Sequence, residues 1–194
     1  VFMAYSGRGS SRDAVAMGRP RERFKHWIGS LEPHAEEAGY LTGKALIAKG
    51  RAMKAFAPDG RLHMIAIGGD RSTPTSIRRS AGMRQAVAEA GDVVLDQEVF
   101  AAWRHDKAAE QSEWLYLRYP GARLIWSGND LMAFGAIESW EKRGGKAGQD
   151  AWFSGINTSA KAMEMLKSGR LTALAGGHFI AGAWALVLIH DYAK

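Results

Sequence analysis

The stretch Arg123-Leu124-Ile125-Trp126-Ser127-Gly128-Asn129-Asp130-Leu131-Met132-Ala133-Phe134-Gly135-Ala136 decides how the rest of the chain is read. Its first half is a short apolar run ending in Ser127-Gly128, the pattern of a buried strand. Its second half and the residues after it place Ala133, Ala136, Ile137 and Trp140 at helical spacing. A strand therefore stops and a helix starts at Asn129. In an open α/β sheet that junction lies at the carboxyl end of a strand, where such folds bind ligands. Asn129 can cap the helix through its side-chain oxygen and still offer an amide that donates and accepts hydrogen bonds, so a cap and a ligand contact both stand as readings.

Outward from this junction the chain alternates regularly. Strands are expected at 62–67, 93–99, 151–154 and 171–175, with helices at 74–90, 106–119, 159–167 and 179–192. Gly91-Asp92, Pro120-Gly121, Gly144-Gly145 and Gly169 supply the breaks. Toward the N-terminus, 1–5 and 24–29 read as strands and 6–20 as a loop. A helix over 33–49 carries Ala38, Leu41, Ala45 and Ala48 as its apolar stripe, and Ala57-Pro58-Asp59-Gly60 is a turn and the best candidate for a boundary or hinge. Short loops between alternating strands and helices imply a doubly wound parallel sheet, an α/β fold covered on both faces.

The bulk composition narrows the function. The 194 residues, 46% of them hydrophobic, can bury a real core. No cysteine is present, which removes disulfides, thiolate catalysis and zinc–cysteine sites. The longest apolar stretch, 180–189, is too short to span a bilayer, and no targeting segment is visible. A net charge of +6 raises the question of nucleic acid, but the basic residues are scattered apart from Arg19-Pro20-Arg21-Glu22-Arg23 and Arg78-Arg79, and no groove-reading motif accompanies them.

Candidate functional residues recur just after strands. Trp103, followed by Arg104-His105-Asp106-Lys107, sits in a polar loop, where its ring either stacks on a sugar or plugs the end of the core. Arg78 and Arg79 lie early in a helix beside a Ser/Thr-rich loop; either could fork two hydrogen bonds to a ligand, while a capping or interlobe ion pair is expected for at least one. Asn157-Thr158-Ser159 most economically caps the next helix. Catalytic patterns are missing: Gly68-Gly69-Asp70-Arg71-Ser72-Thr73 lacks the lysine and spacing of a phosphate loop, no G-x-S-x-G elbow or H-E-x-x-H pair occurs, and His178 stands alone after two glycines. Catalytic alternatives are therefore weak, with no paired acid and base and no cofactor or metal called for.

Taken in order, these segments resemble the type 1 periplasmic binding proteins, the superfamily of ribose- and galactose-binding proteins and of lac-repressor effector domains. Ser127-Gly128-Asn129-Asp130-Leu131-Met132-Ala133-Phe134-Gly135-Ala136 is close to the family's NDxxAxGA. Support comes from Arg79 with Gly82-Met83, from Ala102-Trp103 before Lys107-Ala108, from Gly155-Ile156-Asn157, and from Ser168-Gly169-Arg170-Leu171-Thr172.

The resemblance implies a two-lobed, Rossmann-like fold, incomplete in its first lobe. It implies a partial first lobe over 1–58, a second ligand-binding lobe over 59–176, and a helix over 177–194 that returns to the first lobe. It implies a binding protein and not an enzyme, with a small solute, most often a sugar, held between the lobes for an ABC importer, the importer's membrane permease as partner, no nucleic acid, and a periplasmic or surface-anchored location. The alternative is the effector-sensing domain of a lac-repressor-like regulator or a signalling receptor. Carried over by position, Asn129 matches an amide that hydrogen-bonds sugar hydroxyls and Trp103 an aromatic that stacks on the ring. Asn157 falls where relatives have an acidic residue, the family's ligand arginine falls near Ile77 with Arg78 beside it and Arg79 at the more structural arginine, and the late glutamine is replaced in the Gly176-Gly177-His178 region, where His178 or Phe179 is carried as lining the site instead. Tyr5-Ser6 resembles the end of a first-lobe strand and is carried as a ligand candidate.

Overall fold

The computed structural model describes residues 2–4, 16–176 and 180–194. Leu62–Gly68 is apolar at nearly every position, the signature of a strand covered on both faces. It forms β3, the hub of a five-stranded parallel sheet whose other members are β4 (Val93–Phe100), β5 (Leu124–Ser127), β6 (Trp152–Ile156) and β7 (Ala173–Ala175), in the order β4-β3-β5-β6-β7. A separate parallel pair joins β1 (Phe2–Ala4) to β2 (Gly29–Leu31).

Helices cover both faces of the larger sheet. On one side α1 (Ala35–Ala52) and α2 (Pro74–Ala90) share a core of Leu46, Ile47, Leu62, Met64, Met83 and Trp126. On the other, α3 (His105–Arg118) and α4 (Asp130–Lys142) enclose Ile65, Ile67, Leu115, Ile125, Met132 and Phe153. The short α5 (Ala160–Lys167) adds Ala162 and Met165 to that second core. The connection from β3 runs outward to β4, whereas the connection from β5 runs the opposite way to β6. β3 and β5 are neighbours, so the topological switch point, where doubly wound sheets open a crevice, lies between their carboxyl ends.

Two sequence expectations change. The segment before β2 does not form a strand over 24–29. It turns instead, burying Trp27 with its indole N–H donated to the Gly29 carbonyl at 2.9 Å, and the strand begins only at Gly29. The helix expected over 33–49 is found as Ala35–Ala52, but its stripe is not Ala38, Leu41, Ala45 and Ala48. The buried face carries Gly39, Thr42, Gly43, Leu46, Ile47 and Gly50, while Leu41 is 53% exposed. The reason is close approach. A Cβ at Gly39 would stand 1.9 Å from the Arg79 carbonyl oxygen, and one at Gly82 would stand 1.9 Å from that of Glu36. An apolar-residue count misses a helix interface made by absent side chains. α1 packs on the five-stranded sheet, where the Trp126 indole donates to Thr42 Oγ1 at 3.0 Å.

The helix after β7, α6 (Ala181–Ala193), contacts β1 and β2. It buries Ala181 and Ala185, leaving Trp184, Leu186 and Val187 exposed. No helix among the described residues is long and apolar enough to cross a membrane.

A bulge ties the start of β3 to β4. The register shifts after Met64, so Asp96 is an extra residue between Leu95 and Gln97. His63 lies 2.8 Å from Asp96 through Nδ1 and 3.0 Å from Asp59 through Nε2. Only a doubly protonated ring donates at both ends. Burial pulls its pKa down, but the hydrogen bonds to Asp59 and Asp96 outweigh this and leave it raised.

Two predictions follow from this packing. Gly39→Ala or Gly82→Ala will destabilise the fold at the upper end of the ~1–3 kcal/mol typical of overpacking, because the obstructing atoms are backbone. By contrast Gly182→Ala, with open space around it, will stabilise α6 by up to ~1 kcal/mol; urea titration reads both. For His63, a raised folded pKa means that its stabilisation is full below the unfolded value of about 6.5 and is lost as pH rises through the folded value. His63→Gln will therefore lower stability more at about pH 5 than at about pH 9, measured by denaturation at both.

Candidate functional site

The carboxyl ends of β3, β4, β5 and β6 bring four of the sequence candidates together. Asn129 follows β5 and caps α4, its Oδ1 accepting from the Met132 backbone N–H at 2.8 Å. The other end of the amide, Nδ2, lies 3.5 Å from the Trp103 carbonyl. The cap reading is therefore realised, and a lone pair on Oδ1 and a hydrogen on Nδ2 are left over. The residue is 6% exposed, so what reaches it must enter a desolvated corner.

Trp103 is placed by backbone strain. Ala102 and Trp103 both take left-handed conformations, with φ of 50° and 64°, which is uncommon for a bulky residue. Such positions cost on the order of 1–3 kcal/mol and persist only where the surroundings enforce them. Here the Ala101 and Ala102 amides donate to the Gly68 and Gly69 carbonyls, both at 3.0 Å. The loop is thereby pinned across the end of β3. The indole rests against Gly69, where a Cβ would come within 2.3 Å of Cζ2. The ring also packs on the α3–α4 core while staying half-exposed, so it closes the core and faces outward at once. Beside it Arg104 pairs with Asp106, whose carboxyl that guanidinium holds at about 2, leaving the loop's own charges matched.

Arg79 and Arg78 divide the roles left open by sequence. Arg79, 5% exposed, sends Nη1 2.7 Å to the Gly128 carbonyl and holds its guanidinium carbon 5.6 Å from the Trp103 ring centroid. It therefore braces the switch point from beneath. Arg78 turns away and meets Glu32, on the segment after β2, at 3.4 Å. It is the ion pair expected for one of the two, and it joins α2 to the start of α1.

Asn157 follows β6 with φ 102°. It does not cap the next helix; Ser159 does, accepting from the Ala162 amide at 3.3 Å. Asn157 instead donates Nδ2 to Asp130 Oδ1 at 2.9 Å. Trp103, Asn129, Asp130 and Asn157 thus form one chain of contacts along the sheet edge. Tyr5, Ser6, His178 and Phe179 lie outside the described residues. Sequence reasoning missed Gly69 and Asp130. The first was legible only as a glycine pair after a strand, the second only as the partner of Asn129 in its motif.

A cleft of about 400 Å³ opens next to this edge, between the segment after β2, the start of α1, the ends of β6 and β7, and α6. Glu32, Arg79, Ile156, Gly176 and Trp184 line it, so Arg79 is the one sequence candidate among the described residues that borders it. No group of three or more His, Cys, Asp or Glu side chains that could hold a metal occurs among the described residues. What the edge offers chemically is a ring face, amides and a matched set of charges. These suit a neutral ligand with hydroxyls on one side and C–H surface on the other.

The periplasmic binding protein domain family matches residues 31–194. A periplasmic sugar-binding protein from Pseudomonas fluorescens is 37% identical, with a TM-score of 0.83 over 99% of this chain and 54% of its own. An ABC transporter periplasmic solute binding protein from Actinobacillus succinogenes, solved with bound D-allose, is 20% identical, with a TM-score of 0.78 over 97% of this chain and 60% of its own. The periplasmic binding protein component of the arabinose ABC transporter from Shewanella sp. ANA-3, bound to α- and β-L-arabinofuranose, is 21% identical, with a TM-score of 0.74 over 87% and 54%. The chain spans little more than half the length of these relatives. No curated protein matches.

If the Arg79 brace organises this edge, Arg79→Met will lower stability by ~1.5–3 kcal/mol, the range for a hydrogen bond from a charged group, because it strands the buried Gly128 carbonyl. Arg78→Met, at a half-exposed pair, will cost under ~1 kcal/mol in the same denaturation assay.

Proposed function

The chain belongs to the periplasmic binding protein domain family, whose members bind and do not catalyse, and from that membership we propose that it holds a sugar at the β3–β5 switch point for uptake by an ABC importer. The observation that carries the reading is the strained Trp103, fixed over Gly69 and linked through its carbonyl to the capping amide of Asn129. Strain of this kind is kept where a side chain must be aimed. A pyranose or furanose has apolar C–H patches that suit the indole, and hydroxyls that suit the amides of Asn129 and Asn157.

Asn157 supplies hydrogen bonding without charge, which favours a neutral sugar over a cationic solute. Arg79 acts as a brace for the site, and Arg78, paired with Glu32, sets how α2 meets the segment leading into α1. We place the start of the ligand-binding lobe near Glu32 instead of at 59, since α1 packs with the five-stranded sheet. α6, which packs on β1 and β2, is then the helix that returns to the first lobe. The partner in this reading is the importer's membrane permease, and the location is extracytoplasmic, in the periplasm.

A thermal-shift panel of monosaccharides tests the reading. A sugar present at about 100 times its Kd stabilises by ~2.7 kcal/mol, a rise of roughly 5–10 °C for a chain of this size. Asn129→Ser, which keeps the helix cap, is expected to abolish the rise while melting within a few degrees of the unmodified chain, and Trp103→Ala, which also uncovers part of the α3–α4 core, to abolish it from a lower starting melting temperature. A sugar-induced rise that survives both substitutions contradicts the proposed site, and a panel without any rise contradicts the sugar itself.

A further inference from the structure

Asp130 was not among the residues singled out by sequence, yet it is 3% exposed at the first turn of α4 and holds Asn157. Its Oδ1 accepts from the Leu131 amide at 3.0 Å and from Asn157 Nδ2 at 2.9 Å. A carboxylate oxygen accepts and does not donate, so it can receive only the NH2 end of the Asn157 amide. The main chain of Asn157 is held as well, its N–H donating to the Ala175 carbonyl at 2.7 Å with φ at 102°. The amide is therefore fixed in one of its two orientations. Its other end, Oδ1, is buried and has no partner among the described residues. A buried acceptor without a donor is costly, and native structures keep few of them without a use.

We infer that Asp130 is a positioning residue that sets the polarity of solute recognition: it commits Asn157 to present an acceptor, so the solute must bring a hydrogen-bond donor to that position. This rests on the reading of Asn157 as part of the solute site. A sugar hydroxyl satisfies Oδ1 by donating. The same sugar with fluorine in place of that hydroxyl brings only a weak acceptor, and two acceptors then face each other.

The test has two arms. In the first, the Asn157 side-chain amide is followed by proton–nitrogen NMR without any solute. Its hydrogens are expected to exchange at least about tenfold more slowly than those of an exposed asparagine, and to lose that protection in Asp130→Ser. Exchange as fast as an exposed side chain in the unmodified protein overturns the inference. In the second, D-allose and L-arabinose and their monodeoxyfluoro analogues are titrated calorimetrically. One fluorine position should cost the unmodified protein at least about tenfold in affinity, Asp130→Ser should shrink that ratio to below about threefold, and the exchanged pair Asp130→Asn/Asn157→Asp should restore it, since one carboxylate oxygen again faces the solute. An undiminished ratio in Asp130→Ser overturns the inference. Absence of binding by either parent sugar counts against the proposed function alone, and the exchange arm still decides the orientation of the amide.

Discussion

A buried guanidinium holds this structure in register. Arg79 lies on α2 with its backbone pressed against Gly39 of α1, so closely that no side chain fits between them. Its Nη1 crosses the end of the sheet to the Gly128 carbonyl, at the point where β5 gives way to α4. Its charge sits beside the indole of Trp103. One residue thus fixes the distance between two helices, the exit of the central strand and the support of the aromatic above it. Taking a cation out of water is expensive, and a carbonyl dipole and a ring face replace part of the lost hydration.

The site inherits its geometry from that brace. With Gly128 held, Asn129 begins α4 with its amide turned toward the loop after β4, and the strained pair Ala102 and Trp103 carries the ring over Gly69. Asp130, next in the chain, reaches the loop after β6. Each strand end contributes one element, and neighbouring backbone bonds hold each in turn. Such an edge is preorganised, so a solute meeting it gives up its own freedom and little of the protein's. The strain at Trp103 and the orphan oxygen of Asn157 are two of the places, among the described residues, where the fold departs from its most stable form. Both lie at the same edge, which is where function and stability are expected to conflict.

Much of this was legible in the sequence. The change at Asn129 from a short apolar run to apolar residues at helical spacing marked the central strand and helix. Pro74 opening α2 and the glycines closing the helices set most boundaries. The face of α1 was not legible, because its interface is made of Gly39, Gly43 and Gly50, which carry no hydrophobic signal. The strand at Gly29–Leu31 was displaced for a related reason: Trp27 looks like a strand residue but is buried by a turn. At the site, residue types pointed to Trp103, Asn129 and Asn157, whereas the division of labour between Arg78 and Arg79 depended on partners far along the chain, Glu32 and Gly128. Asp130 was hidden in plain view as the second residue of its motif, since nothing local shows that a carboxylate at a helix start also holds a side chain 27 residues away.

The central claim is that the solute sits on the sheet edge between Trp103, Asn129 and Asn157, and not in the neighbouring cleft against α6. Proton–nitrogen chemical-shift mapping during a titration with D-allose or L-arabinose tests it most directly. The account predicts saturable shifts in the Trp103 indole N–H and in the side-chain amides of Asn129 and Asn157, with the Trp184 indole unmoved. Shifts gathered around Trp184 and the start of α1, with the Trp103 and Asn129 signals unchanged at saturation, would contradict it.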